Sequence, residues 1–298
     1  MRSDEDISKV FLDLEKLDRN LFRSRHLLPG LPTTGRVYGG LVIGQSLVSA
    51  LETVPDEFHV HSLHCYFIKA GDIKMPILYQ VDPLRDGGSF CTRSVKAIQD
   101  GDAIYVCILS FHKQEAPAIE HQCEIPRVKP PEECRDASNI LQDIIKKSDL
   151  DDRIKQKCQE KLRALPTTFE MRPVDEKIFL RLQPSAPKLC FWVKAKGIIG
   201  DDQRLHHCVA AYISDTGMIG AALLPHPHMF FQPNLTLSLD HAIWFHRFGF
   251  AIDDWMLYEA ESDVAAGGRT FIKGRLWDKQ GNLVVSTAQE GLVRLSRL

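Results

Sequence analysis

The feature that most constrains the fold is an internal repeat, because two stretches of the chain carry the same short motifs in the same order. The first contains PILYQV and then GGSFCTRSVKAIQDGDAIYVCILSF, and the second contains WMLYEA and then GGRTFIKGRLWDKQGNLVVSTAQE. The spacing from Tyr79 to Gly101 is 22 residues, and the spacing from Tyr258 to Gly281 is 23 residues. The sequence therefore predicts one domain that occurs twice.

Each repeat has the pattern of an antiparallel sheet. Apolar and polar residues alternate along its segments, which are rich in β-branched and aromatic residues, as is typical of strands. QDGD and KQGN are typical of hairpin turns, since glycine takes positive φ readily. A further matched pair, HSLHCYF at residues 61–67 and LDHAIWF at 239–245, precedes the strands in each half.

Ahead of the strands, each half has one segment that does not alternate. Residues 39–51 (GGLVIGQSLVSAL) and 205–215 (LHHCVAAYISD) are apolar nearly all round. That composition is expected of a helix that is buried on every side. A buried helix wrapped by an antiparallel sheet, occurring twice in one chain, predicts an α+β protein with the double hot-dog arrangement.

A proline-rich region separates the halves. Eight prolines lie between positions 117 and 187, on both sides of a charged, helix-prone stretch at 137–165. Such flanks around a polar helical segment are typical of an ordered linker. We expect an N-terminal hot-dog domain over 1–115, a partly helical linker over 116–187, and a C-terminal hot-dog domain with the catalytic residues over 188–298.

Composition excludes several classes of function. The net charge of −2 argues against a nucleic-acid partner, because binders of nucleic acid show a basic excess. No apolar run approaches the roughly 20 residues of a membrane-spanning helix, and the first residues lack the apolar core of a secretory signal. The eight cysteines lack the two-residue spacing of metal and redox motifs. We expect neither a metal nor a cofactor.

Four motifs resemble the acyl-CoA thioesterase II (TesB-like) family in order and spacing. They are RVYGGLVIGQSLVSA (36–50), HSLHCYFIKAGD (61–72), SLDHAIWFH (238–246) and TAQEGLVR (287–294). The resemblance extends from about residue 14 to residue 294. It implies a double hot-dog hydrolase of fatty acid metabolism that cleaves fatty acyl-CoA to free fatty acid and CoA, without a metal, a cofactor or a covalent acyl-enzyme.

The resemblance also implies three catalytic residues that orient and activate a water. The family's acid lies in Tyr-x-Ser-Asp, which gives Asp215, and its hydroxyl precedes an Asp-His pair, which gives Ser238. Bacterial members carry Thr at that position. The family's amide lies in Gln-Glu-Gly, which gives Gln289.

The residues themselves support part of this set. Asp215 has apolar helical neighbours, so burial should raise its pKa toward that of a general base. Gln289 lies on an apolar strand face and needs hydrogen-bond partners. Alternation places Asp240 on the same face as Ser238, so Asp240 is a rival acid that the local sequence does not exclude. The first buried helix offers Gln45 and a serine but no acid, which predicts one site per chain where the halves meet.

Two other function classes remain open on the sequence alone: a hot-dog enzyme of the enoyl-CoA hydratase type, and a non-catalytic acyl-CoA-binding protein. The ending Ser296-Arg297-Leu298 fits a peroxisomal address, with Arg in place of Lys in Ser-Lys-Leu. We therefore expect recognition by the peroxisomal import receptor and a place in the peroxisomal matrix, with the cytoplasm as the alternative. An exposed sheet edge would favour a homo-oligomer.

Overall fold

The computed structural model describes residues 12–30, 34–226 and 233–295. Within these ranges thirteen antiparallel strands form one sheet. The strands are β1 (Leu14–Asp18), β2 (Leu21–Ser24), β3 (Phe58–Phe67), β4 (Leu78–Asp86), β5 (Phe90–Gln99), β6 (Asp102–Lys113), β7 (Phe169–Pro173), β8 (Lys188–Ala195), β9 (Leu235–Ser238), β10 (Asp240–Phe245), β11 (Met256–Ala266), β12 (Arg269–Trp277) and β13 (Leu283–Arg294). The helices are α1 (Gly39–Leu51), α2 (Ala137–Lys146), α3 (Asp152–Arg163), α4 (Glu176–Leu180), α5 (Gln203–Ser214) and α6 (Met218–Ala222), with a 3₁₀ turn at Pro131–Glu133.

The strand order confirms the duplication. From one edge the sheet runs β1-β2-β4-β5-β6-β3, and from the other edge it runs β7-β8-β11-β12-β13-β10. The second series repeats the first in chain order, with β9 added beside β13. The double hot-dog prediction is correct, but the two half-sheets are joined into one by the pairing of β3 with β10. His64 faces Ala242, its counterpart in the matched motifs, so the join lies on a pseudo-twofold axis.

The predicted hairpins form where the sequence places glycine. Asp100 and Gly101 both have positive φ, 49° and 80°, as a two-residue turn between right-twisted strands requires. Gly281 of the KQGN turn also has positive φ, 84°. Along β5 and β13 buried residues alternate with more exposed ones, which explains the period of two in the sequence.

Helices α1 and α5 cross closely beneath the sheet because glycines in α1 face the backbone of α5. A Cβ at Gly40 would lie 2.2 Å from the carbonyl oxygen of Tyr212, and one at Gly44 would lie 3.2 Å from that of Cys208. Any larger residue at Gly40 would separate the helices. This crossing brings the N-terminus of α1 to the C-terminus of α5.

The region predicted as an ordered, partly helical linker forms three helices and a strand. It contains α2, α3 and α4, which bury Ile140, Leu141, Cys158 and Leu180 in a separate small core. It also contributes β7, which pairs with β8 and lengthens the sheet. Trp192 of β8 donates its indole N–H to the carbonyl of Lys129, 2.8 Å away, so the linker packs against the second half. The predicted domain limits remain a prediction.

Candidate active site

The structure brings the three predicted catalytic residues into contact. The hydroxyl of Ser238 donates to Oδ1 of Asp215 at 3.2 Å, and Nε2 of Gln289 donates to Oγ of Ser238 at 2.8 Å. Ser238 thus lies between the carboxylate and the amide. Residues that are far apart in sequence form one continuous hydrogen-bonded chain.

Each side chain is placed by the end or the middle of a regular element. Asp215 is the C-cap of α5, and Gly217 ends the helix in the left-handed conformation with φ of 74°. Ser238 is the last residue of β9, and it pairs with Gly291 of β13. Gln289 lies two residues before Gly291 on the buried face of β13. The position of β9 beside β13 therefore brings the hydroxyl to the amide.

The other oxygen of the carboxylate contacts the first half of the chain. The backbone N–H of Gly40 donates to Oδ2 of Asp215 at 3.0 Å. A Cβ at Gly39 would lie 2.8 Å from the same oxygen, so only glycine fits there. Since the N-terminus of α1 carries the positive end of its helix dipole, it favours negative charge at this point. Both halves therefore build the site.

The environment of Asp215 changes its acidity. Burial raises the pKa of this carboxyl from 3.8 to about 7, although hydrogen bonds from Ser238, Gly40 and Gln289 act in the opposite direction. Desolvation disfavours the ionised form, and these donors stabilise it only in part. A pKa near 7 lies in the range that a general base needs at neutral pH.

His241 is a member of the site that the sequence did not predict. Its Nδ1 lies 2.6 Å from Oε1 of Gln289, and its Nε2 lies 2.9 Å from Oγ of Ser214. Burial lowers the pKa of this imidazole to about 4, so it is neutral at pH 7. Because Gln289 uses its amino group toward Ser238, its oxygen must accept, and Nδ1 of His241 carries the proton. From His241 through Gln289 and Ser238, the donors then point the same way, toward Asp215.

Strict alternation from Ser238 would put His241 on the opposite strand face, and the structure shows why that expectation fails. The strand conformation is interrupted at Leu239, between β9 and β10. The alternation of side chains therefore does not run continuously through both strands. The backbone N–H of Leu239 donates to the carbonyl of Glu290 at the break. Gln289 therefore contacts side chains that strict alternation would have put on opposite faces.

The rival acid lies elsewhere. Oδ1 of Asp240 accepts from the backbone N–H of Glu290 at 2.8 Å, and the side chain is half-buried. Partial burial raises the pKa of Asp240, and the Glu290 N–H opposes that change. Ser238 donates to Asp215 and not to this carboxylate. Asp240 holds β10 against β13.

The first half has no matching set of polar groups. Strand register places Val60 opposite Phe111, which corresponds to Ser238 opposite Gly291. In the same way, the pair Leu63 and Leu109 corresponds to His241 and Gln289. Apolar side chains thus stand where the second half has its hydroxyl, imidazole and amide. The described residues hold one such site, where the halves meet.

Gln45, considered in sequence as a polar residue of the first helix, has a structural role. Its Nε2 donates to the carbonyl of His26, and its Oε1 accepts from the hydroxyl of Tyr79 at 2.7 Å. Over the ranges that the structure describes, no three His, Cys, Asp or Glu side chains are grouped as metal ligands. No helix in the same ranges is both long and apolar enough to cross a bilayer.

The three predicted residues line a cavity of about 530 Å³ at the junction of the halves. Its walls are largely apolar, and they include Val37, Tyr38, Val42, Phe67, Tyr105 and Met218. Arg36 and Lys69 also line it. An apolar cleft with a few convergent polar groups and one carboxyl of shifted pKa is typical of an enzyme active site.

Comparison with known proteins identifies the family. The family described as acyl-CoA thioesterase matches residues 172–292, and the family described as acyl-CoA thioesterase N-terminal domain matches residues 28–112. The chain is 44% identical over 284 residues to acyl-coenzyme A thioesterase 8 of Rattus norvegicus, which covers 95% of this chain and 87% of the relative. The chain belongs to the acyl-CoA thioesterase family. The resemblance that the sequence motifs suggested is confirmed.

More distant relatives and solved structures agree. The peroxisomal acyl-coenzyme A thioester hydrolase 1 of Saccharomyces cerevisiae is 26% identical, with coverage of 95% of this chain and 93% of the relative. The acyl-CoA thioesterase II TesB2 of Mycobacterium marinum is 34% identical and superposes with a TM-score of 0.75 over 97% of each chain. A hot-dog protein from Alicyclobacillus acidocaldarius also has a TM-score of 0.75 at 14% identity, which shows the shared fold.

Proposed function

We propose that this thioesterase hydrolyses fatty acyl-CoA to free fatty acid and CoA, with Asp215 as the general base. The observation that carries the proposal is the buried carboxyl of pKa about 7 in contact with Ser238. A carboxyl of that pKa is partly ionised at neutral pH and can still accept a proton. Ser238 and Gln289 hold the attacking water beside it.

The reaction needs no group beyond these side chains and water. The water oxygen attacks the thioester carbonyl carbon while Asp215 takes the water's proton, which gives a tetrahedral intermediate with negative charge on the former carbonyl oxygen. The carbon–sulfur bond then breaks, and the departing sulfur takes the proton from Asp215. The fatty acid and the CoA thiol leave, and the carboxylate is restored.

The N-terminus of α1 supports the same reaction electrostatically. Gly39, its first residue, lines the cavity, and the N–H of Gly40 is directed at Asp215. The positive end of the helix dipole therefore faces the cavity and would favour negative charge that develops there. Fixed dipoles at such a point are among the strongest contributions to catalysis, since removal of one oxyanion donor typically lowers the rate on the order of 100-fold or more.

One assay separates this function from the two alternatives. Palmitoyl-CoA and its 2-enoyl analogue are incubated with the protein, and thiol release is followed with a thiol reagent together with loss of enoyl absorbance. The thioesterase releases thiol from both substrates. Loss of enoyl absorbance without thiol release would show a hydratase, and saturable binding without either signal would show an acyl-CoA-binding protein.

We further propose that the protein acts in the peroxisomal matrix, where the import receptor would recognise Ser296-Arg297-Leu298. The tripeptide lies outside the described residues, and support comes from its sequence and from the name of the yeast relative. A fluorescent fusion that leaves the C-terminus uncovered should colocalise with a peroxisomal marker. Removal of the last three residues should leave an active enzyme in the cytosol, and an unchanged distribution would contradict the proposal.

The sheet edges suggest self-association. β1 and β7 each have a hydrogen-bonded neighbour on one side, and such edges can pair with another chain. We expect a homo-oligomer, and light scattering across a range of concentrations would measure it. A mass of one chain, 33.8 kDa, at every concentration would exclude it.

A further inference from the structure

A second cavity lies against the active site. It has a volume of about 580 Å³, and it lies between β8, α6 and the linker region that contains α3, β7 and α4. Its lining is predominantly apolar and includes Val128, Leu165, Met171, Ile178, Leu189 and Phe191. A volume in this range is ordinary for a small-molecule site.

The two cavities share a wall. Gly217 and Gly220 line both of them, and Thr216, which lines the second cavity, directly follows Asp215. The two residues that line both cavities are glycines, so neither of them places a side chain between the cavities. A Cβ built on Gly220 would meet only the side chain of Leu189, at an ordinary distance of 3.9 Å. The second cavity therefore adjoins, at Gly217 and Gly220, the cavity that Asp215 lines.

Two of the three cationic residues that line the second cavity, Lys161 and Arg181, have hydrogen-bond partners within the protein. Nζ of Lys161 donates to the carbonyl of Phe179 and lies 3.7 Å from the centre of its ring, and Nη2 of Arg181 donates to the carbonyl of Leu223 at 3.2 Å. Burial lowers the pKa of Lys161 to about 8, as expected in apolar surroundings. With their charged ends held in this way, the long side chains can offer their aliphatic stems to a ligand.

We propose that the second cavity binds the acyl chain of the substrate, and that the linker region sets the chain length the enzyme accepts. This inference rests on the proposed thioester hydrolysis and adds to it the path of the substrate. The thioester lies at Asp215 and Ser238, the chain passes Gly217 and Gly220, and its methylenes pack against the linker. The nucleotide end extends toward Arg36, whose charge suits a phosphate, whereas Lys69 of the same wall is paired with Asp102 at 2.7 Å.

Two variants narrow the proposed path of the acyl chain at different places. Gly220→Leu places a side chain between the two cavities, and its new Cβ meets no backbone atom. Ala164→Phe fills the second cavity from the linker, because Ala164 lines that cavity and not the catalytic one. Gly249→Leu is the matched control, since a Cβ there has open space and the residue lines neither cavity. Melting temperatures establish that all three variants fold.

The measurements are kcat/KM for acyl-CoA substrates of 4 to 16 carbons, and Kd for the matching non-hydrolysable thioethers. Each methylene excluded from an apolar site weakens binding about fourfold. Gly220→Leu should thus lower both quantities for the 16-carbon chain by about tenfold or more relative to the 4-carbon chain. Ala164→Phe should affect only the longer chains, and Gly249→Leu should match wild type.

Two results would overturn the pocket assignment: unchanged chain-length profiles in both cavity variants, or equal losses at every chain length. A wild-type protein that binds the thioethers with the predicted dependence but releases no thiol would contradict the proposed hydrolysis and leave the pocket supported.

Discussion

Replacement of Asp215 by Asn tests the proposed mechanism most directly. The variant keeps the size of the side chain, and its amide oxygen can still accept a hydrogen bond from the N–H of Gly40. The hydroxyl of Ser238 can rotate to accept from the new amide, so the fold should survive. What is lost is the proton acceptor. We expect kcat to fall by about 100-fold or more, the usual scale for loss of a general base.

The pH profile of wild type adds a second measurement. With a pKa of about 7 for Asp215, roughly a tenth of the carboxyl is ionised at pH 6 and about nine tenths at pH 8. Since the base must be ionised to accept a proton, kcat/KM should rise about tenfold between these values. The rise should be absent from the residual activity of Asp215→Asn.

The control is Asp240→Asn, because that carboxylate accepts from the backbone N–H of Glu290 and an amide oxygen can do the same. It should retain the wild-type pH profile and most of the rate. Stopped-flow thiol release supplies kcat, and thioether binding supplies Kd, which should change little in either variant. A flat wild-type profile from pH 6 to pH 8, or a severe loss in Asp240→Asn beside an active Asp215→Asn, would refute the assignment.

Three further predictions follow from the same contacts. His241→Leu places at position 241 the residue type that Leu63 supplies in the first half, but it removes the donor to Oε1 of Gln289. We expect the protein to stay folded while kcat drops about tenfold or more and the midpoint of the kcat/KM pH profile remains near 7; an unchanged kcat would contradict a positioning role for His241. Gly40→Ala forces the new Cβ against Tyr212, and denaturant unfolding should show a loss of about 1–3 kcal/mol, whereas Gly249→Ala should show almost none. The pKa of Asp215 is higher in the folded protein than the value of 3.8 in the unfolded chain. The folding free energy that this difference contributes is therefore fully present below about pH 4 and is lost as pH rises to about 7. The free energy of unfolding of wild type should therefore decline against that of Asp215→Asn across this range by a few kcal/mol, on the order of 1.4 per pH unit, and parallel curves would contradict the raised pKa.

The sequence predicted the fold well because its main signals are local and occur twice. Alternation and turn glycines define each hairpin, and the spacing between them repeats. The joining of the half-sheets depends instead on one pairing, β3 with β10, whose partners are far apart in the chain. β7 was missed for a different reason, since its five residues lie among prolines and beside charged helices, which outweigh so short a strand.

The proposed general base could be chosen only partly from the sequence. Asp215 has apolar neighbours, which correctly indicate a raised pKa, but Asp240 alternates with Ser238 and looked equally suitable. The choice depends on the break at Leu239, which moves Asp240 to the N–H of Glu290. Such a break has no strong local pattern, because hydrogen bonds to a distant strand produce it.

The duplicated fold explains why the site is asymmetric and why the second half needs the first. Leu63 and Leu109 show that an apolar pair is sufficient to pack this part of the sheet, so His241 and Gln289 are not required by the fold. A buried polar pair is costly unless each member has a partner, and here Ser214 and Ser238 supply those partners. The chain of donors ends at Asp215, whose second oxygen depends on the N–H of Gly40 in the other half. Without α1 the carboxylate would lose that donor and the helix dipole, so the first half, whose described residues hold no equivalent polar set, is a structural part of the proposed site.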